Sequence, residues 1–183
     1  MKKIALLLAL VLCVGIACPA GALVIEGAAG AGGNIRRGYY YNGKVSFKLP
    51  GSAWTQDSSV AYSDYDEIDL SGTADVNGFI PGMYIQITDT TWDMDSEFEE
   101  FLSGNGVIRV ANQTYSLGDG LRAHYDCYLE EEDDGRMGLD YLIWFNCGEY
   151  GVILYYYTFA ATRSIPDDLP ALDDVVRSFT ISE

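Results

Sequence analysis

The sequence predicts an α+β fold in which an antiparallel β-sheet is sandwiched between helices, and three observations predict it. Residues 121–160 hold three long β-forming runs joined by two turns, and two of the runs, Leu139–Cys147 and Gly151–Phe159, are apolar or aromatic on both faces. A strand apolar on both sides needs cover on both sides. Two further stretches, Asp95–Ser103 and Leu169–Ser178, space their apolar residues as one stripe of a helix. Asn42-Gly43 between β-forming residues is a strong short hairpin signal, because both turn residues must tolerate positive φ.

A chain of 183 residues suffices for one domain with a sizeable core once its first segment is set aside. Residues 1–22 read as a secretory signal peptide. Met1-Lys2-Lys3 is basic, Ile4–Val14 is apolar, and Ala20-Gly21-Ala22 supplies small residues for a cut before Leu23. Two alternatives stand beside this reading. Gly15-Ile16-Ala17 before Cys18 is a weak lipobox that would tie the protein to a membrane through a lipid on Cys18. The uncharged run Ile4–Ile25 also reaches the ~20 residues that span a bilayer, although Pro19, Gly21 and the cleavage site oppose that use. Residues 23–36 are a flexible Gly/Ala-rich leader, and 37–183 form a single domain. The localisation expected is secreted or extracytoplasmic.

The chain carries 27 acids against 11 Lys+Arg, a net charge of −16, and Lys2 and Lys3 leave with the signal peptide. Nucleic acid is therefore excluded as a partner, since phosphate binding needs the opposite sign. Of the four cysteines, Cys127 and Cys147 remain after processing. An exported pair invites a disulfide. These two, however, sit at opposite ends of one strand level, on the order of 20 Å apart, beyond the roughly 7 Å a disulfide allows. Two buried free thiols are expected.

In chain order, Val45, Phe47 and Leu49 alternate with Lys44, Ser46 and Lys48 after the Asn-Gly turn, giving one buried and one wet face. Pro50 ends that strand and Trp54 folds back onto the sheet edge. Ser59–Tyr65 is a short strand, 64–78 an acidic loop, and Phe79–Asp89 a strand with Ile85 and Ile87 on one face. Ser96 and Glu99 form a capping box for the helix Asp95–Ser103, whose stripe is Met94, Phe98, Phe101 and Leu102. Val107–Ala111 is a strand and Tyr115–Gly120 a turn. In the next strand Ala123, Tyr125, Cys127 and Leu129 oppose Arg122, His124, Asp126 and Tyr128. The closing helix is capped by Asp167 or Asp168, because Pro170 fits only a first turn.

Over residues 38–182 the chain resembles the PsbP/Mog1-like superfamily, including secreted bacterial members. The likeness lies in Tyr41-Asn42-Gly43-Lys44-Val45-Ser46-Phe47-Lys48-Leu49-Pro50 with Trp54, in the Gly120–Tyr128 strand, and in the closing Val175-Val176-Arg177-Ser178-Phe179. The resemblance implies the same helix-sandwiched sheet and a binding or assembly role without shared catalytic machinery. It carries no functional residue to a numbered position.

Candidate chemistry is sparse. His124, the one histidine, shares a strand face with Asp126 and would need a serine such as Ser116 for a triad, yet no nucleophile-elbow motif is present. Acids cluster at Asp64/Asp66/Glu67/Asp69, at Asp93/Asp95/Glu97 and at Glu130–Asp134 before Gly135. Of these, Glu130, Glu132, Asp134, Asp64 and Asp66 are the candidate ligands for Ca²⁺, which takes six to eight oxygens on a bent loop. The 14 tyrosines suggest either core or an aromatic binding face. The function expected is a non-catalytic binding or assembly domain of the cell envelope, its partner an unidentified envelope or extracellular protein, with no enzyme activity and no cofactor. The alternative is an extracellular Ca²⁺-binding domain, with a hydrolase ranked last.

Overall fold

The computed structural model describes residues 35–51, 54–61, 65–75, 77–161 and 163–182, with side chains for all of these except 56–61 and 65. The segments read as a signal peptide, as a lipobox at Cys18 and as nearly all of the leader lie outside the described residues, as does Asp64. At the leader's end Ile35 packs on the core and Arg36 forms a bridge with Tyr39.

Asn42 and Gly43 (φ 94°) join β1 (Tyr39–Tyr41) to β2 (Val45–Lys48), and the Asn42 side chain accepts from the N–H groups of Lys44 and Val45. The chain returns to β2 only at its end, where β10 (Thr180–Ile181) pairs with it and completes a three-stranded antiparallel sheet. The larger sheet has seven strands in the order β3-β4-β5-β9-β8-β7-β6, every neighbour antiparallel. These are β3 (Thr55–Ala61), β4 (Tyr65–Ser71), β5 (Gly82–Thr88), β6 (Val107–Gly118), β7 (Leu121–Glu131), β8 (Met137–Cys147) and β9 (Tyr150–Phe159). The expected face of β7 is the one observed, with Ala123, Tyr125, Cys127 and Leu129 in the main core and Tyr128 opposite.

One face of the large sheet is buried against the small sheet and α1 (Ile165–Ser178) through Phe47, Tyr156, Leu172, Val176 and Phe179. The other is covered by residues 89–106, which have no regular secondary structure. Trp92 is fixed there twice: it exchanges hydrogen bonds with Asn146 and donates from Nε1 to the Val152 carbonyl (3.1 Å). Phe98, Phe101 and Leu102 then lie over Trp144, Tyr128 and Leu142.

The helix-sandwiched α+β arrangement is thereby corrected. Among the described residues there is one helix, the architecture is predominantly antiparallel β, and no helix backs the second face. Two-sided burial did demand two covers, but an irregular segment supplies one of them. The helix expected over Asp95–Ser103 does not form. Asp93 captures the local donors: its carboxylate accepts from Asp95 N–H, and its carbonyl accepts from both the N–H and the hydroxyl of Ser96. Such side-chain and turn bonds compete with a helix. Phe101 N–H goes instead to the Tyr128 hydroxyl (3.1 Å).

Several boundaries also move, the strand expected at Ser59–Tyr65 lying at Thr55–Ala61. Residues 65–71, assigned to an acidic loop, are β4, whose Ile68 and Leu70 face the core and whose Glu67 is buried on the opposite face. The turn expected at Tyr115–Gly120 is mostly strand, since β6 runs on to Gly118. Helix α1 begins earlier, with Ser164 as its N-cap, Pro166 in the first turn and Pro170 inside the helix. The missing Pro170 N–H would have faced the Pro166 carbonyl, so one ladder bond is lost. Asp168 is not the cap because it is buried beneath the Tyr141 hydroxyl. No helix of the described residues is long and apolar enough to cross a membrane.

Candidate functional site

Where β4 ends and β5 begins, the chain makes a tight crossing. Gly72 N–H donates to the Pro81 carbonyl (2.8 Å), and a Cβ on Gly72 would lie 2.7 Å from the Pro81 ring. Between them Asp75 builds a turn, its carboxylate accepting from the N–H groups of Asn77 and Phe79. Phe79 is left against Phe159 (ring centroids 5.6 Å). Trp54 approaches from the small sheet, its Nε1 donating to the Pro50 carbonyl (3.1 Å) and its ring 6.3 Å from that of Tyr156. Arg163, just before α1, closes the far side. These segments enclose a cleft of about 320 Å³ lined by Pro50, Trp54, Thr73, Phe79, Tyr156, Thr158 and Arg163, among others.

The cleft joins an apolar wall to one cation. Arg163 Nε stands 3.1 Å from the buried Asp168 carboxylate, an ion pair without an aligned hydrogen bond. Asp168 is held by the Tyr141 hydroxyl (2.8 Å), and burial raises its carboxyl above the ordinary range. The Arg163 side chain, which also bonds Tyr156, remains 42% exposed at the cleft. A ring or apolar stem against Trp54 and Phe79, with an oxygen toward Arg163, suits these walls.

The triad candidates are engaged elsewhere. His124 is buried under the parallel ring of Phe98 (4.1 Å), with Nε2 against Asn112 Nδ2 (3.1 Å) and Nδ1 against Thr114 Oγ1 (2.9 Å). Neither ring nitrogen is left for Ser116, and burial holds the imidazole below its ordinary pKa. Asp126 is fully buried, gripped at both oxygens by Arg109 (2.6 and 2.7 Å) and bonded by the Tyr128 hydroxyl. Cys127 and Cys147 are both free, Cys127 buried but Cys147 only partly so, and burial pushes the Cys127 thiol up to about 12, far from a reactive thiolate.

The candidate Ca²⁺ ligands are not brought to one place. Asp66 on β4 pairs with Lys44 (2.6 Å), and four strand spacings, roughly 19 Å, separate β4 from β7. At the β7–β8 turn Asp134 binds the backbone and guanidinium of Arg136, while Glu130 and Glu132 flank the buried Asp140. Among the described residues no three acid, His or Cys side chains converge as metal ligands.

Asp140 and Arg163 are the groups that sequence reasoning missed. Asp140 is the lone acid in the apolar run 139–147, which was signal enough to mark it. It accepts from the Tyr155 hydroxyl (2.9 Å), and burial pushes it up to about 7, with Glu130 and Glu132 adding repulsion. Other tyrosines serve the same internal role: Tyr84 bonds Glu67, Tyr125 bonds Asp173 and Tyr141 bonds Asp168. Compared with known proteins, the chain matches no family model and no curated protein.

Proposed function

We propose that this chain is a non-catalytic binding domain acting outside the cytoplasm, and that the cleft between Trp54, Phe79 and Arg163 receives its ligand. The observation that carries this reading is the pairing of an aromatic wall with a partly exposed arginine side chain on an otherwise strongly acidic chain. The occupied hydrogen-bonding positions of His124 and Asp126 and the raised Cys127 thiol favour binding over hydrolysis. The reading of residues 1–22 as a secretory signal peptide supports a ligand in the envelope or beyond it.

The test is recovery of partners from an envelope extract by the wild-type domain, by a cleft-filling Thr73→Trp variant, and by a Thr90→Trp control on the exposed turn after β5. A partner lost with Thr73→Trp and kept with Thr90→Trp is the expected result. Equal recovery by both variants would remove the cleft as the site.

A further inference from the structure

We propose that the Arg37–Gly38 bond is a processing site, cut by an arginine-specific endoprotease that frees the folded domain from the residues before it. Arg36 and Arg37 are both exposed where the described chain enters β1, and exposed turns near a domain's end are preferred sites of nicking. Neither guanidinium has an ion-pair partner among the described residues, whereas Lys44, Lys48, Arg109, Arg122, Arg136 and Arg163 are each held by a carboxylate. Arg177 lies in the last turn of α1. The backbone adds a second observation. Arg37 (φ 54°) and Gly38 (φ 80°) are the central residues of a tight turn, which Arg36 and Tyr39 close with two hydrogen bonds (2.8 and 3.1 Å). Positive φ at both positions suits Asn-Gly, and an arginine in the first of them is strained.

Charge and topology fit the cut. An arginine-specific endoprotease carries a carboxylate at the base of its specificity pocket. No acid lies between Glu26 and Asp57, so the sequence around the turn offers such a pocket no like charge. At the rival turn, Arg136 follows the acidic run Glu130–Asp134, and Asp134 binds both its backbone and its guanidinium. Opening the first turn gives up its two bonds and the packing of the partly buried Ile35. Tyr40 stays stacked on Phe47, and the Gly38 carbonyl keeps the Leu49 N–H (2.8 Å). Such local openings set the rate at which a folded chain is cut. Hydrolysis then breaks the bond between the Arg37 carbonyl carbon and the Gly38 nitrogen. The water oxygen joins that carbon to give a carboxylate, and both water protons end on the Gly38 nitrogen as an ammonium. Every described strand and α1 lies beyond the cut, so the product keeps the fold and loses the residues up to Arg37, with any lipid on Cys18.

Trypsin is the probe. Applied briefly to the folded full chain, it is expected to make its first cut beyond residue 22 after Arg37, leaving residues 38–183 with the Tm of the uncut protein. Replacing both arginines (Arg36→Gln with Arg37→Gln) is expected to slow that fragment's appearance by roughly a hundredfold, while Arg136→Gln leaves it unchanged. The second measurement is the N-terminal residue of the protein recovered from the cells that make it and from their medium. A form beginning at Gly38 is expected for the wild type and not for the double variant. A first cut elsewhere beyond residue 22, equal cutting of the double variant, or the absence of a form beginning at Gly38 from both cells and medium overturns the proposal.

Discussion

Asp140 and Asp126 show what a buried carboxylate costs with and without a cation. Asp126 has Arg109 on both oxygens, so removing the guanidinium leaves an unpaired buried charge. Arg109→Met should cost about 3 kcal/mol in denaturant unfolding, at the low end of such breaks because Arg109 is partly exposed. Adding Asp126→Asn should recover most of that loss; no recovery would mean that Arg109 acts by packing. Asp140 has one phenol donor and two acidic neighbours, and its carboxyl rises to about 7 when folded. An unfolded aspartate titrates near 3.9. Between these values the native state holds the extra proton, so stability falls as pH climbs from about 4 to about 7, by roughly 4 kcal/mol. The raised carboxyls of Glu132 and Asp168 slope the same way. Asp140→Asn, which still accepts from Tyr155, should flatten most of that slope and be the more stable protein at pH 8. Parallel slopes in urea titrations across pH 4–8 would sink the assignment.

Among the elements, the cover over residues 89–106 depends on one close approach. A Cβ on Gly151 would lie 2.3 Å from the Thr90 carbonyl and 2.9 Å from Trp92 Nε1. Gly151→Ala should therefore destabilise by about 1–3 kcal/mol and expose the cover. Faster amide exchange over 89–106, with β7–β9 still protected, would report it; unchanged exchange would show that the cover hangs on Phe98 and Leu102 alone. The same segment marks where the sequence ceased to be legible. The spacing of Phe98, Phe101 and Leu102 suits a helix stripe, but equally a chain laid across a flat sheet face, and nothing local distinguishes the two. In β4 the acids Asp66, Glu67 and Asp69 hid the buried Ile68 and Leu70. By contrast, β8 and β9 were plain, because two-sided burial leaves a continuous apolar run, and the Asn42-Gly43 turn announces its own geometry. The cleft had no sequence signal, since Trp54, Phe79, Tyr156 and Arg163 come from four separate segments. The thiol separation was legible from strand length alone.

For the whole molecule, charge sets a test with a definite sign. The ion pairs Lys44–Asp66, Lys48–Asp174, Arg122–Asp95 and Arg136–Asp134 are solvent-exposed, and such pairs contribute about 0–1 kcal/mol each, less as salt rises. Against them stand 27 acids and only 11 Lys+Arg, so the dominant long-range term is self-repulsion of the compact state. Its range shrinks from about 30 Å at 0.01 M salt to about 8 Å at 0.15 M. The cover feels it acutely, because Asp93, Asp95, Glu97, Glu99 and Glu100 crowd one segment, where Arg122 meets Asp95. Raising NaCl from about 10 mM to about 150 mM at pH 7 should therefore raise Tm by several degrees. Asp95→Asn, which removes an ion pair together with a like charge, should change Tm little at either salt. A Tm that falls with salt would mean that the surface pairs, not the net charge, govern the stability of this fold.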